Sequence, residues 1–445
     1  MPHDATGLDA LLLAELSDLR RDHRERTLRP FPDVGKFVEV EGRRLLNLAS
    51  NDYLGLANHP KLAAAGREAI SAYGTGATAS RLVCGSLEIH RQAELKFANL
   101  KHAEAALLFA AGYSANLAVL TALAGPGDLI CQDKLNHASL LDAARFSGAR
   151  VRTYPHLDLS KLERLLAQHA KQTEAPVAGE DFWDQVQPDA REAAGLEAAM
   201  ADVELSTQPA STDVDPIKPG TKRFIVTDTV FSMDGDCANL PALCDLADRY
   251  RAVLVIDEAH ATGVLGVRGG GLAQHQGVAE RVYRCGLGGV VVSTASKAMG
   301  GLGGLVTGSQ VVIDYLINRA RPFIYSTGVA PAQAAVVAAA ADIILQDTER
   351  RQRLAEHCRT FAAGLTNQGW PVAEHGPTTP IFPLMVGTES AALALARRLQ
   401  EQGVLAVAIR PPTVAPGTAR VRCSLRADLD DQDLEQVLEA IGRAL

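Results

Sequence analysis

A chain of 445 residues exceeds one ordinary hydrophobic core, so two or more lobes are expected. An apolar share of 47% with mean hydropathy near zero describes a soluble globular protein, and a formal charge of −8 argues against a nucleic-acid surface. Seven scattered cysteines without a Cys-x-x-Cys pair indicate neither a disulfide framework nor a zinc site. With no membrane-length apolar run and no leader pattern, they suit a cytoplasmic protein with no membrane partner.

Leu8, Leu11, Leu12, Leu16 and Leu19 recur at helical spacing and run into the basic cluster Arg20, Arg21, Arg24, Arg26 and Arg29. Any one of these arginines reads first as part of a solvated basic face. Glu39 to Leu48 alternates about a Glu-Gly turn, the pattern of a hairpin. Asn47 to Leu56, with Asn51 at its centre, is too rich in turn formers for core. Residues 74–90 begin as a small-residue loop where a backbone could approach a ligand. Gly74-x-Gly76-x-x-Ala79 fails as a dinucleotide fingerprint, because a helix end precedes it where a strand is required.

Ala105 to Ala110 reads as a strand that runs into Ala111-Gly112-Tyr113 and an apolar helix. The first amides of that helix would suit a phosphate, and equally an ordinary turn. Asp128 to Cys131 is a further strand, delivering Asn136 and His137. Residues 171–222 hold eleven acidic against four basic residues and supply nearly all of the formal charge. They read as a solvated insertion with a short helix near Asp189 to Glu204. Phe224 to Thr227 is the next strand; the Asp/Gly-rich turn after it presents Ser232 and lacks EF-hand spacing.

Val253 to Ile256 is wholly apolar, as a buried parallel strand is, and ends in Asp257-Glu-Ala-His260-Ala-Thr-Gly263. Val290-Val-Val292 ends in Ser293-Thr294-Ala-Ser-Lys297 and a glycine-rich turn. Ligands collect outside the carboxyl ends of strands in open α/β sheets, so a carboxylate, an imidazole and an amine are expected in one crevice. Strand-end caps and a solvated lysine are the plainer alternatives. Phe323 to Thr327 reads as a polar loop after an aromatic-aliphatic strand, followed by helices from Pro331 to about Leu345 and from Thr348 to about Thr366. A smaller α/β lobe ends the chain. It comprises a strand at Leu384, a helix from Ser390 to Gln402, a strand from Val404 to Ile409 reaching Arg410-Pro-Pro-Thr413, a strand from Ala419 to Leu425, and a helix from Asp430 to Leu445. The partition is therefore residues 1–55 as N-terminal helix and hairpin, 56–318 as the large lobe and 319–445 as the small one.

Asp257 after an apolar strand, His260 three residues on and Lys297 in a Ser/Thr-rich turn resemble the fold-type I pyridoxal phosphate enzymes. Such an enzyme needs an amine against the cofactor aldehyde and a carboxylate to keep the ring nitrogen protonated. Ser50-Asn-Asp-Tyr-Leu-Gly55, Phe231-Ser-Met-Asp-Gly235, Asp257 to Gly263 and Ile324-Tyr-Ser-Thr327 resemble the α-oxoamine synthase family within that class. Ser80-Arg-Leu-Val83 and the run from Ala408 to Arg420 look like the branch that joins L-alanine to a pimeloyl thioester of acyl carrier protein or coenzyme A. The resemblance implies an α/β fold whose large, mostly parallel-sheet domain binds the cofactor beside a smaller C-terminal α/β domain. It also implies a homodimer with the active site at its interface, and no metal.

Lys297 would hold the cofactor and act as acid/base, with Asp257 on the ring nitrogen and His260 and Ser232 near the phenolic oxygen. His137 would stack on the ring. Gly112, Tyr113 and Thr294 would lie along the cofactor, and Ser326 and Thr327 would reach a phosphate across the interface. Arg422 matches the amino-acid carboxylate anchor, while Arg29, Asn51 and Thr413 match substrate positions. Relatives acting on glycine or serine remain alternatives. Asp257-Glu-Ala-His260 also spells a helicase motif, but the chain has no phosphate-binding Gly-x-x-x-x-Gly-Lys-[Ser/Thr] string.

Overall fold

The computed structural model describes residues 7–173, 221–372 and 379–444; the expected helix near Asp189 to Glu204 and most of the acidic insertion lie outside them. Helix α1 (Leu8–Arg21) precedes a hairpin, β1 (Phe37–Val40) and β2 (Arg43–Asn47), which turns at Glu41-Gly42, both at positive φ. There follow α2 (Pro60–Tyr73), α3 (Glu88–Lys101), β3 (Ala105–Phe109), α4 (Gly112–Leu123), β4 (Leu129–Asp133), α5 (Ala138–Phe146), β5 (Arg150–Tyr154) and α6 (Leu159–Thr173). Next are β6 (Arg223–Asp228), α7 (Leu240–Tyr250), β7 (Ala252–Asp257), α8 (Leu272–His275), α9 (Ala279–Val282), β8 (Gly289–Thr294), β9 (Gly304–Gly308), α10 (Gln310–Arg319) and α11 (Arg321–Ile324). Helices α12 (Pro331–Gln346) and α13 (Thr348–Asn367) lead to β10 (Ile381–Gly387), α14 (Glu389–Glu401), β11 (Val404–Leu405), β12 (Val407–Ile409), β13 (Ala419–Ser424) and α15 (Asp431–Ala444).

The main sheet has the order β3-β9-β8-β7-β6-β4-β5, with every pairing parallel except those of β9 to β3 and β8. Its inner strands β7 and β8 read as near-continuous apolar runs because both faces are covered, whereas the edge strand β5 is polar and partly exposed. Leu254 and Ile256 face one core with Phe97 and Leu108, whereas Val255 faces another with Leu107, Val119 and Val226. Helix α12 brings its buried Ala334, Val337, Ala338 and Ala341 against α2 and α3. Six strands, all but β9, thus aim their carboxyl ends at one edge.

Three elements differ from expectation. Phe323 and Ile324 belong to the short helix α11, because Pro322 sits in its first turn with φ already fixed for a helix; Phe323 then packs edge-on to Phe109 at 5.7 Å. The stretch from Val404 to Ile409 is two strands in two sheets. Val404-Leu405 pairs in parallel with Leu46-Asn47 of the hairpin, and Val407 to Ile409 pairs with Arg420 to Arg422, the chain crossing over at buried Ala406. Strand β9 was hidden in the glycine-rich turn. It needs that glycine: a Cβ on Gly304 would fall 2.3 Å from the Ala111 carbonyl oxygen.

Candidate active site

Asp257 closes β7, buried, with Oδ1 accepting the Ala259 N–H at 2.8 Å and Oδ2 accepting Asn116 Nδ2 of α4 at 2.7 Å. The next side chain turns the other way, toward α3. There Glu258 meets Lys101 at 2.5 Å in a pair whose side chains are each 1% exposed. Lys101 also donates to Thr262 Oγ1 and the Gly270 carbonyl, both at 2.7 Å, and Glu258 accepts the Ala273 N–H at 2.8 Å. Charge is thereby fully matched directly behind the Asp257 corner.

Ser50 to Gly55 is a largely buried turn pinned by residues that follow β13. Asp52 accepts the N–H groups of Leu56 and Ala57 and pairs with Arg426 at 3.3 Å. A Cβ on Gly55 (φ +64°) would collide with Asp428 at 2.8 Å, so the turn requires glycine there. The turn delivers Tyr53, whose hydroxyl lies 2.7 Å from His260 Nδ1 and 3.2 Å from Asn51 Oδ1. Asn51 Oδ1 in turn accepts Arg422 Nη2 at 2.6 Å, and Arg422 Nη1 donates to the Ser232 carbonyl at 2.9 Å. Arg422 Nε is buried with no hydrogen-bond partner among the described residues. Burial holds the His260 imidazole well below its ordinary pKa, and Lys297, Arg422 and His137 push it further, so this ring is neutral.

His137 caps α5. Its backbone N–H donates to Asp228 Oδ2 at 2.5 Å, and its Nδ1 lies 2.7 Å from Ser139 Oγ. Burial lowers its pKa and Lys297 adds to that, while Asp257 and Asp142 oppose. Asp228, buried at the end of β6, is pushed well above the usual carboxylate range by desolvation and by Asp257. Lys297 follows β8 half-buried. Desolvation pulls its amine below the ordinary lysine value, against the attraction of Asp257 and Asp228 and with the help of Arg422. Each of these groups feels the charges of the others, which places them in one crevice at the carboxyl ends of β4, β6, β7 and β8.

At one side of the crevice, a Cβ on Gly112 would sit 3.3 Å from Thr294 Cβ, so α4 begins hard against that threonine. The cap residue Ala111 offers no side chain to the first amides of this twelve-residue helix, a cradle for an anion. Thr294 Oγ1 is 2.8 Å from Ser296 Oγ, and the exposed Tyr113 donates to Asp142 at 2.6 Å. Ser326 and Thr327 are exposed beside residue 80, with which Thr327 forms an isolated bridge. Arg29 contacts Gln400 at 3.3 Å and Glu41 at 3.6 Å, and Arg26 lies 3.3 Å from Thr413 Oγ1. Tyr53, Asn116 and Asp228, for which the sequence predicts no role, also border the site. Asn116 had a signal, since it lies one helical turn after Gly112 on the same face.

The chain matches the family model described as aminotransferase class I and II over residues 43–441. It is 40% identical to the 8-amino-7-oxononanoate synthase of Geobacter sulfurreducens, covering 97% of each chain, and equally to that of Trichlorobacter lovleyi. Among solved structures, a serine palmitoyltransferase of Sphingomonas wittichii superimposes with a TM-score of 0.81 at 24% identity, over 99% of this chain and 98% of that one.

Proposed function

Since the chain belongs to the aminotransferase class I and II family and, within it, to the 8-amino-7-oxononanoate synthases, we propose that it condenses L-alanine with a pimeloyl thioester, releasing carbon dioxide, in biotin biosynthesis. The cofactor is pyridoxal phosphate. It supplies, when bound, an aldehyde for amines and a protonated ring that draws electrons from the amino acid's α-carbon. The donor set fits it: an uncapped helix start against Thr294, a buried carboxylate at Asp257 and a half-buried amine at Lys297.

Lys297 would hold the cofactor aldehyde through its amine, whose pKa burial lowers against the pull of Asp257 and Asp228, and would take and return the proton at the alanine α-carbon. Asp257, held by Asn116 and the Ala259 amide, would keep a proton on the cofactor's ring nitrogen. Arg422 receives the alanine carboxylate, with its free Nε aimed at no protein group among the described residues. His260 and Ser232 would hold the cofactor's phenolic oxygen, and His137 would stack on its ring and meet the acyl carbonyl. Arg29 and Thr413, with Arg26 beside Thr413, would line the approach of the acyl chain, whose carrier is acyl carrier protein or coenzyme A. Exposed Ser326 and Thr327 serve the phosphate of a second copy in a homodimer. Seven free cysteines support a cytoplasmic setting.

The observation that carries this reading is the convergence of Asp257, His260, His137, Lys297 and Arg422 on one crevice. The purified protein should show visible absorbance that borohydride treatment removes and that is missing from Lys297→Ala. It should also consume alanine in preference to glycine and serine. Equal use of glycine, or turnover by Lys297→Ala, would overturn the proposal.

A further inference from the structure

Two side chains, Asn116 and Ser139, join Asp257 to His137. Asn116 Nδ2 lies 2.7 Å from Asp257 Oδ2 and 2.9 Å from Ser139 Oγ, and Ser139 Oγ lies 2.7 Å from His137 Nδ1. Asn116 and Ser139 are each 1% exposed, so no water competes for these bonds. The proton positions follow from the donors. An amide NH2 carries two hydrogens, which Asn116 spends on Asp257 and Ser139; turning the amide over would set its oxygen against the carboxylate. Ser139 Oγ therefore accepts from Asn116 and sends its own hydrogen to His137 Nδ1. The backbone N–H of Ser139 points at the same Nδ1 from 3.3 Å and can only donate. His137 Nδ1 is thus an acceptor twice over, and the ring's hydrogen sits on Nε2, on the side that has no protein partner among the described hydrogen bonds. Asn116 Oδ1 is left buried and unpaired among the described residues, so this amide is oriented for its donors at a cost.

We infer that Asn116 and Ser139 are positioning residues: one amide fixes the Asp257 carboxylate and, through Ser139, locks His137 as the neutral Nε2–H tautomer that can donate to the acyl carbonyl. Protonating His137 would drive an Nδ1–H into two donors, which keeps the ring neutral. The charged and titratable groups facing it are Asp257 at the end of β7, Asp228 at the end of β6, Asp142 on α5, Lys297 after β8 and His260. Burial and Lys297 act in the same direction as the relay, against Asp257 and Asp142. The inference rests on the proposed condensation for what Nε2–H donates to, but the tautomer itself is read without turnover.

The test is an imidazole titration by nuclear magnetic resonance on the holoenzyme labelled in its histidine rings, with the His137 signal identified by its loss in His137→Gln. Ser139→Ala should move the His137 titration upward by roughly 0.5–1 pH unit. Asn116→Leu should move it the same way, and Ser139→Thr, which keeps the hydroxyl, should restore it. The acid limb of kcat/KM should follow these shifts. A His137 titration unmoved in both Ser139→Ala and Asn116→Leu, or nitrogen shifts showing hydrogen on Nδ1 in the parent protein, would overturn the relay. Shifts in the expected sense support it even where alanine is not the substrate, so failure of the relay and failure of the proposed reaction are told apart.

Discussion

Arg422 makes two directed hydrogen bonds, to Asn51 and to the Ser232 carbonyl, and keeps a third donor free. A lysine retains the charge but not the fork. Arg422→Lys should therefore raise KM for alanine roughly 10- to 100-fold, with a smaller effect on kcat, as steady-state kinetics would show. Lys101 is a different case, since it touches no reacting atom. Lys101→Met would strand Glu258 as a buried unpaired charge and cost about 3–5 kcal/mol in denaturant unfolding. Pairing it with Glu258→Leu should recover most of that loss; no recovery would mean the ion pair is not what the corner depends on. At this scale the sequence was legible where a residue ends an apolar strand, as Asp257 and Lys297 do. It was not legible where function comes from a neighbour across the fold. Asn116 is one asparagine in an apolar helix until α4 is seen to pass beside β7. Arg26 and Arg29 are equivalent basic residues until the segment after α1 is seen to run beside Thr413.

The turn at residues 231–236 is the element that couples the β10-β13-β12 sheet to the crevice. From one side Arg422 holds the Ser232 carbonyl, Arg420 pairs with Asp234, and Thr379 donates to the Gly235 carbonyl at 2.7 Å. From the other side His156 bridges Asp236 at 2.7 Å and Asp133 at 3.0 Å and stands edge-on to Phe231 at 4.3 Å. Burial alone would lower the His156 pKa, but the two carboxylates outweigh it and raise the value to about 9. A raised folded-state value stabilises the protein fully below the unfolded histidine pKa of roughly 6.5 and loses that stabilisation as pH climbs through about 9. We expect the parent protein to lose on the order of 2–3 kcal/mol of stability between pH 6.5 and 9.5 that His156→Gln does not lose, with amide exchange rising first in this turn. Superimposable pH curves for the two proteins would contradict this. Elements were legible where period and length agreed, as in α12 and α13. They failed where local pattern is silent about partners. Nothing in Val404 to Ile409 says that its halves serve different sheets, and the aromatic-aliphatic look of Phe323-Ile324 concealed the helical start set by Pro322.

Across the whole molecule, α1 has no buried residue, and Leu8, Leu11 and Leu12 are 46–68% exposed. An apolar stripe of that kind, with Ser326 and Thr327 also facing outward, suits the proposed pairing of two copies. Sedimentation should give twice the 47.2 kDa chain mass, and Leu11→Glu with Leu16→Glu should shift the balance toward single chains; a monomeric parent protein would exclude the pairing. One connection spans both lobes: Arg422 to Asn51, Asn51 to Tyr53, Tyr53 to His260. We expect a carboxylate arriving at the free Nε of Arg422 to draw the guanidinium away from Asn51, so that the phenol and the imidazole beyond it reorient without any bond being made or broken in the ligand. Propionate, which has no amine to react, should therefore tint the yellow of the loaded protein, and Tyr53→Phe should leave it colour-blind to that acid.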